Sequence, residues 1–539
     1  MKRLRDHHSP ELFDPWEHLG PKRRRLLELS WAGVFREYLL AHLPVSELAS
    51  GFSDRRGRPS KDLTVALGAL ILQQLHDLTD QQTTEAVALN LAWHYALDIR
   101  HEPDAYLCER TLRNYRNRLL ELGLDEVLFR GLTDQLIEKV GIDTTRQRLD
   151  STTVQSAIRG LTRLGILVEA ASKFLRELKR KCPTEYSDVD SDMLRKYVER
   201  TGDGCFANTR PGESKRRLPE AAQDVFLLVK QFQDSDAAAL ESYQLLHRVF
   251  HEQCEVTDDP DEPVAIRPPR SSGCDGVISP ADPDARYNKH KGTGYLVQIM
   301  ETFVEDDSPG EPVDDEESRP SPPDLITHVS VDPLTMHDQD ALAPALDDTD
   351  SRHISPQELL ADSHYGSTEC LETGESHNVK IISPAQTAKG AKQGKLTLED
   401  YVLDDEGRVM RCPAGHAPVE TSVADIRLQV LFDPIVCGAC ADKDRCPTAA
   451  VGRSSPRYQY THERVQYRAR RLHETSDEFR DRYRWRAGVE ATMSRFKHQM
   501  GMAHLRIRGM KKVTFTALLR ALGLNIHRVA AWKRAIARA

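Results

Sequence analysis

The sequence has no long apolar run. It nowhere approaches the ~20 consecutive apolar residues that cross a bilayer, and the opening MKRLRDHHSPELFD lacks the apolar centre of a secretory signal. We therefore expect neither a membrane protein nor a secreted one, and predict a cytoplasmic protein. Its 539 residues are 39% hydrophobic and 29% charged, a composition typical of a globular chain of roughly two to four domains.

Cysteine is sparse outside one cluster. Six of the ten cysteines stand alone, which excludes a secreted disulfide framework: Cys108, Cys182, Cys205, Cys254, Cys274 and Cys370. The other four are Cys412 in RCPAGH and Cys437, Cys440 and Cys446 in PIVCGACADKDRCP. A CxxC pair with two further thiols offers the ligand types of tetrahedral structural zinc. We predict Zn²⁺ here, with His416 as a possible substitute ligand and unligated thiols as the alternative.

The chain also lacks a positive net charge. Its value of −9 excludes a uniformly basic nucleic-acid binder, but the charges are unevenly distributed. From Arg453 to Ala539 there are 21 Lys and Arg against 6 Asp and Glu, and PKRRR and DRRGRPSK lie near the start. The middle contains VTDDPDEP and VEDDSPGEPVDDEES. Basic ends on an acidic middle predict a polyanion bound by particular faces, and solvated surface charge is the alternative.

The first 145 residues have apolar residues at helical spacing, and Thr79 is a candidate helix cap. The stretch CERTLRNYRNRLLELG predicts a helix whose exposed face carries four arginines: Arg110, Arg113, Arg116 and Arg118. Short helices with a basic third member resemble a helix-turn-helix arrangement. We predict DNA contacts from Arg113 and Arg116, with an ordinary helical bundle as the alternative.

Beyond residue 145 the pattern changes to alternating strands and helices. RQRLDSTTVQS predicts a strand, 158–254 a helical stretch, and 255–275 a Pro- and Asp-rich linker. TGYLVQIMETFV and DLITHVSVD predict a hairpin with a long acidic loop. A short helix follows, then the apolar run ELLADSHYG, the start of a second helix, and a further strand in NVKIISPA. This order predicts an α+β fold with a mixed sheet flanked by helices.

Two acids stand where sheets bind ligands. Asp150 lies in the first strand, and Asp362 follows a short buried one; ligands bind at the carboxyl ends of strands in open sheets. Buried carboxylates need a compensating cation. Together with Glu490 they form a set that could hold two Mg²⁺ ions. The alternative for Asp362 is a turn cap, and the loop acids Asp282 and Asp284 are rivals expected to be structural.

The third acid stands alone in YRWRAGVEATMSRFKHQMG. With about 100° per residue, Glu490 shares one helical stripe with Tyr483, Arg486 and Lys497. A neighbouring stripe is apolar and would dock the helix: Val489, Met493, Phe496 and Met500. An exposed Arg486–Glu490 pair four residues apart is the simplest alternative. Trp485 could stack on an unpaired base or pack in the core.

The spacing of Tyr483, Arg486, Glu490 and Lys497 resembles the signature of bacterial insertion-sequence transposases with an RNase H-like fold and a DDE triad. LDSTTV and ADSHYGS are similar to that family's two aspartate strands, and SPADPDARYNKHKGTGYLVQ to the segment before its second strand. The resemblance implies metal binding (Mg²⁺ or Mn²⁺, two ions) by three acids: Asp150, Asp362 and Glu490. It implies contacts to the DNA backbone by three others: Tyr483, Arg486 and Lys497.

The function implied is a DDE transposase that cuts double-stranded DNA at element ends and joins the freed 3′-hydroxyl to target DNA. We expect a homodimer in a synaptic complex, associated with the bacterial nucleoid. A non-catalytic DNA-binding regulator and an RNase H-like nuclease without strand transfer are the alternatives. The domains expected are an N-terminal helical DNA-binding domain at 1–140, an RNase H-like core at 141–157, 276–387 and 476–539, a helical insertion at 158–275, and a Cys-rich, zinc-ribbon-like insertion at 388–475.

Overall fold

The computed structural model describes residues 5–7, 12–52, 60–201, 205–206, 209, 211–259, 262–268, 276–305, 320–386, 388, 390–424, 427–448 and 456–539. Residues 54–59 of the basic stretch DRRGRPSK, the acidic segment 306–319 and Cys274 lie outside these residues. Among the described helices, none has the length and apolar character needed to cross a bilayer.

The N-terminal part is helical, as predicted. Its helices are α1 (Pro21–Glu28), α2 (Trp31–Val34), α3 (Val45–Ser50), α4 (Leu63–Leu75), α5 (Asp80–Leu89), α6 (Leu91–Leu97), α7 (Glu109–Glu121) and α8 (Leu124–Val140). Helix α4 is apolar on nearly every face and almost entirely buried, and the Asp62 side chain caps its start. The predicted cap Thr79 is confirmed, since it exchanges hydrogen bonds with Gln82 in a capping box.

A helical segment follows strand β1 (Arg146–Gln155). It contains α9 (Arg163–Lys181), α10 (Pro183–Ser187), α11 (Ser191–Leu194), α12 (Ser214–Phe232) and α13 (Glu241–Gln253). These helices have a core of their own, in which Phe174 contacts Phe232 and Tyr243 edge-on. The stretch 255–275, predicted as a linker, also contributes to an antiparallel ladder of β2 (Cys254–Val256) and β3 (Val264–Ile266), because β-branched residues flank its polar turn.

The central sheet is mixed, as predicted. Its further strands are β4 (Arg286–Asn288), β5 (Gly292–Thr302), β6 (Ile326–Pro333), β7 (Glu358–Ala361) and β8 (Lys380–Ile382). The order is β4-β5-β1-β7-β8, with β6 also paired to β5. Strand β1 runs antiparallel to β5 and parallel to β7, and β5 and β6 form the predicted hairpin. The α+β class is therefore confirmed.

Helices cover both faces of this sheet. Helices α14 (Leu342–Ser351) and α15 (Thr368–Ser376) pack on the face that carries Leu149 and Met300. The other face, with Val154 and Ile299, packs against the N-terminal and C-terminal helices in the largest core of the molecule. Because neighbouring residues of a strand point to opposite faces, Asp150 belongs to this second face.

The segment that carries the four clustered cysteines contains small sheets. Its elements are β9 (Val402–Leu403), β10 (Val409–Arg411), β11 (Glu420–Ala424), β12 (Arg427–Leu431), α16 (Pro434–Gly438) and β13 (Arg457–Thr461). Strands β11, β12 and β13 form an antiparallel sheet. Its core is aromatic, with Tyr458 stacked between Tyr401 and Tyr460 at centroid distances of 4.8 and 5.7 Å.

The chain ends in helices α17 (His462–His473), α18 (Asp477–Tyr483), α19 (Gly488–Ser494) and α20 (Met510–Ile536). A 3₁₀ turn precedes α19 and a π-helical turn, Arg495–Gln499, follows it. The terminal helix α20 is buried on all sides over 515–526. It lies between the N-terminal helices and the sheet, where the Asn525 amide bonds both the N–H and the carbonyl of Ile326.

Candidate active site

Two of the predicted acids, Asp150 and Asp362, lie beside each other where the parallel pairing of β1 and β7 ends. The last residues that β1 and β7 pair are Leu149 and Ala361. Asp150 and Asp362 come next, on chains spaced roughly 4.8 Å apart. Their carboxyls interact, since the negative charge of Asp362 adds to the rise that burial causes in the pKa of Asp150. The strand register therefore brings together two acids that lie far apart in the sequence.

Arg486 connects the first acid to the third. Its guanidinium donates a hydrogen bond to Oδ2 of Asp150 at 2.7 Å and another to Oε1 of Glu490 at 3.3 Å. Burial raises the pKa of Asp150, and the charge of Arg486 opposes that rise. The Asp150 side chain is 13% exposed, whereas that of Glu490 is 69% exposed. The Arg486–Glu490 pair expected from the spacing is present, but Arg486 also reaches a buried acid.

Some acids at this end of the sheet also have structural contacts. Asp362 accepts a hydrogen bond from the His364 N–H at 2.9 Å and so caps the 3₁₀ turn that follows it. Asp282 is fully buried and accepts hydrogen bonds from the Tyr295 hydroxyl and the Gly509 N–H. These bonds hold Asp282 between β5 and the start of α20.

The three acids offer carboxylate oxygens, which are the ligands that Mg²⁺ and Mn²⁺ prefer. The adjacent carboxyls of Asp150 and Asp362 also fit a cation, because a divalent ion would offset both their repulsion and the burial of Asp150. Among the described residues, however, no three His, Cys, Asp or Glu side chains are grouped closely enough to hold a metal ion. Glu490 is joined to Asp150 through Arg486 rather than directly.

Of the other two members of the predicted stripe, Tyr483 lies close to these acids. The Tyr483 hydroxyl donates to the carbonyl of Ala361, the residue before Asp362, at 3.2 Å. Burial raises the pKa of Tyr483 to about 12. Lys497 is half-buried without an ion pair to any described residue, and burial lowers its pKa. The predicted apolar stripe is confirmed, with all four members buried.

Sequence reasoning missed a buried ionic network beneath α19. Glu301 of β5 is fully buried and lies opposite Arg148 of β1. Its two oxygens accept hydrogen bonds from Arg148 at 2.8 Å, Arg528 at 2.8 Å and Thr492 at 2.7 Å. Arg148 also donates to the carbonyl of Trp485 at 2.8 Å. The network connects α19 and α20 to the strand that carries Asp150. The sequence feature that could have indicated it is the charged Arg148, two residues before Asp150 in a predicted strand.

The predicted DNA-contacting arginines of α7 are not equally exposed. Arg113 faces solvent, but Arg116 is half-buried, pairs with Asp80 and donates to the Gln73 side chain at 2.8 Å. Arg118 donates to the carbonyl of Gly51 at 2.7 Å. The expectation of four arginines on one exposed face was therefore wrong for Arg116 and Arg118, because neighbouring helices supply buried acceptors on that side.

The four clustered cysteines line one cavity, together with His416. All four are free thiols. Burial raises the pKa of Cys437, and the charges of Cys446, Cys412 and Cys440 raise it further, which places the four sulfurs near one another. Among the described residues, however, these side chains do not form a group of three or more that could hold a metal ion.

Two stretches of the chain match models of known protein families. Residues 411–530 match a family model described as "Transposase DDE domain". Residues 26–118 match a second one, described as "Transposase domain (DUF772)". No curated protein and no solved structure matches the chain.

Two stretches of the chain are therefore similar to transposase domains. These matches support the resemblance to DDE transposases that the residues around Glu490 predicted. The DDE match contains Glu490 and all four clustered cysteines but neither aspartate. The roles of Asp150 and Asp362 thus depend on the geometry of β1 and β7.

Proposed function

We propose that the chain is the transposase of a bacterial insertion sequence. It would cut DNA at the element's ends and join the freed 3′-hydroxyl to target DNA. The observation that carries the proposal is the adjacency of Asp150 and Asp362, with Arg486 linking Asp150 to Glu490, in a chain that matches transposase domains. We further propose two copies in a synaptic complex, acting on DNA in the nucleoid.

In this proposal the sheet is an RNase H-like core built from 141–157, 276–387 and 476–539. Residues 1–140 would be the DNA-binding domain, and 158–275 and 388–475 the helical and Cys-rich insertions. The helical insertion has its own hydrophobic core, as does the Cys-bearing segment, which is the expected property of units inserted into a larger domain.

Asp150, Asp362 and Glu490 would hold the divalent ions. Two such ions supply activation of an attacking oxygen and stabilisation of the leaving oxygen. Arg486, in the 3₁₀ turn before α19, and Lys497, in the π-helical turn after it, carry positive charge and would bind the scissile phosphate. An arginine fork and an ammonium are the usual phosphate donors. Tyr483 would fix the position of Asp362 through its bond to the carbonyl of Ala361.

A strand-cleavage assay tests the proposal. The purified chain is incubated with Mg²⁺ and duplexes carrying the sequences that flank its gene, and nicks and joined products are measured separately. We expect nicking and joining by the wild type, and DNA binding without nicking by Asp150→Asn. Asp332→Asn is the matched control, because burial also raises the pKa of Asp332 but its strand, β6, is not adjacent to β7.

Each outcome separates the candidate functions. Nicking without joining would favour the nuclease alternative, and binding without nicking by the wild type would favour the regulator. Retained nicking by Asp150→Asn would contradict the assignment of that residue.

We propose, second, that the cysteine cavity holds structural Zn²⁺. The proximity of the four thiols, with His416 in the same cavity, supports it. Zinc content is measured in protein purified without added metal, for the wild type and for Cys437→Ser/Cys440→Ser. Cys108→Ser/Cys182→Ser is the control, since those thiols lie elsewhere. Equal zinc in all three proteins would contradict the site.

A further inference from the structure

A basic groove lies on the side of α19 away from Glu490. It encloses about 1030 Å³ between the 484–499 segment and the last turns of α20. Gly488, Thr492, Arg495 and Gln499 line it, and their spacing of three to four residues makes them one helical stripe. Glu490 and Lys497 do not line it. We name it the arginine groove, after Arg148, Arg484, Arg495, Arg528 and Arg534.

The described residues neutralise the charge of the arginine groove only partly. Among them, Asp324 is the one acidic residue that lines the groove, and the buried carboxylate beneath it is Glu301. Both are used by the inner arginines, Arg148 and Arg528. Arg495 and Arg534 at the rim are exposed and make no ion pair with a described residue. A concave surface with such excess charge concentrates anions.

We propose that the arginine groove binds the phosphodiester backbone of the DNA strand that is not being cut. This inference rests on the proposed function, which puts the cut strand at Asp150 and Asp362. The exposed edge of the helix at Ser494, which does not line the groove, separates the two sites. A helix with its side chains is about 10–12 Å wide, close to the ~12 Å between the strands across a major groove. One duplex thus reaches both sites, with one backbone on each side.

Guanidinium groups suit this ligand because their paired N–H donors match two phosphate oxygens. Contacts of this kind are independent of base sequence and release counterions, so each changes the salt dependence of binding by about 0.9 in log–log slope. Two contacts removed together would flatten the slope by roughly 1.8 and weaken binding at 0.15 M salt about thirty-fold.

The test measures the affinity of Arg495→Gln/Arg534→Gln for a short duplex of arbitrary sequence and for the element's end, across a salt series. Arg176→Gln/Arg216→Gln is the matched control, removing two exposed arginines of the helical insertion. We expect the flattened slope and weaker binding on both duplexes for the groove variant, with an unchanged melting temperature. The control should bind like the wild type.

An unchanged slope in the groove variant would overturn the inference, as would an equal change in the control. Failure of the proposed function looks different: the wild type would not nick element ends, while the slope on arbitrary duplex would still report whether the groove binds phosphates.

Discussion

Glu301 is the most heavily compensated buried charge near the site, so we expect its removal to have a large effect. It lies on β5 with no exposed surface, and Arg148, Arg528 and Thr492 all donate to it. Burial alone would raise the pKa of Glu301, but the charges of Arg528 and Arg148 outweigh burial and lower it. Glu301→Gln keeps the shape and removes the charge, leaving two buried guanidiniums with one acid fewer.

Breaking a buried ion pair by removing one partner costs about 3–5 kcal/mol. For a unit of 150–250 residues this corresponds to a fall of about 6–20 °C in melting temperature. Calorimetry of the unfolding step that includes the sheet measures it. The control is Glu126→Gln on α8, whose exposed pair with Arg130 should contribute about 0.5 kcal/mol or less.

The stabilisation by Glu301 should depend on pH in a definite direction. The pKa of Glu301 is lower in the folded chain than in the unfolded one, so its stabilisation is complete above about pH 4.3 and is lost as the pH falls through the folded value. The difference between wild type and Glu301→Gln should be full at pH 7 and shrink in acid. A variant that melts within a degree of the wild type at pH 7 and nicks DNA at the same rate would refute the reasoning.

Three further predictions follow from the same contacts. In EDTA at pH 7, Asp150→Asn should have a higher melting temperature than the wild type. The reason is that burial raises the pKa of Asp150, so its ionised form destabilises the folded chain at any pH above that pKa. Mg²⁺ should raise the melting temperature of the wild type but not of this variant. Arg116→Ala should lower the melting temperature and Arg113→Ala should not, since Arg116 alone of the two pairs with Asp80; weakened DNA binding with unchanged melting is the signature expected of Arg113→Ala. Asn525→Leu should cost about 1–3 kcal/mol by thermal unfolding, because it leaves two backbone groups of Ile326 unsatisfied.

Periodicity predicted the elements of this chain well because it depends only on local spacing. The apolar stripe beside Glu490 and the strands around Asp150 and Asp362 follow from side-chain alternation and helical turn. The pairing of Leu149 with Ala361 does not, since register is a property of two strands more than two hundred residues apart. The same holds for Glu301, whose burial is acceptable only because two arginines from distant elements reach it. A sequence shows one acid in one strand, without its partners.

At Gly488, helix propensity and tertiary packing predict opposite effects of a substitution on stability. By propensity, Gly488→Ala should stabilise the chain, because alanine in place of glycine in a helix interior raises the free energy of unfolding by roughly 1 kcal/mol. In the fold, however, an added Cβ would lie 2.1 Å from Nη1 of Arg148, the side chain that also bonds Glu301 and the Trp485 carbonyl. Arg148 is too constrained to move aside, so we expect Gly488→Ala to destabilise the sheet and to slow nicking.

Gly131→Ala in α8 is the matched control, because nothing lies within 4 Å of its added Cβ. It should raise the melting temperature, as propensity alone requires. If both substitutions stabilise the protein equally, Arg148 has room to move, and the network does not hold α19 against β1.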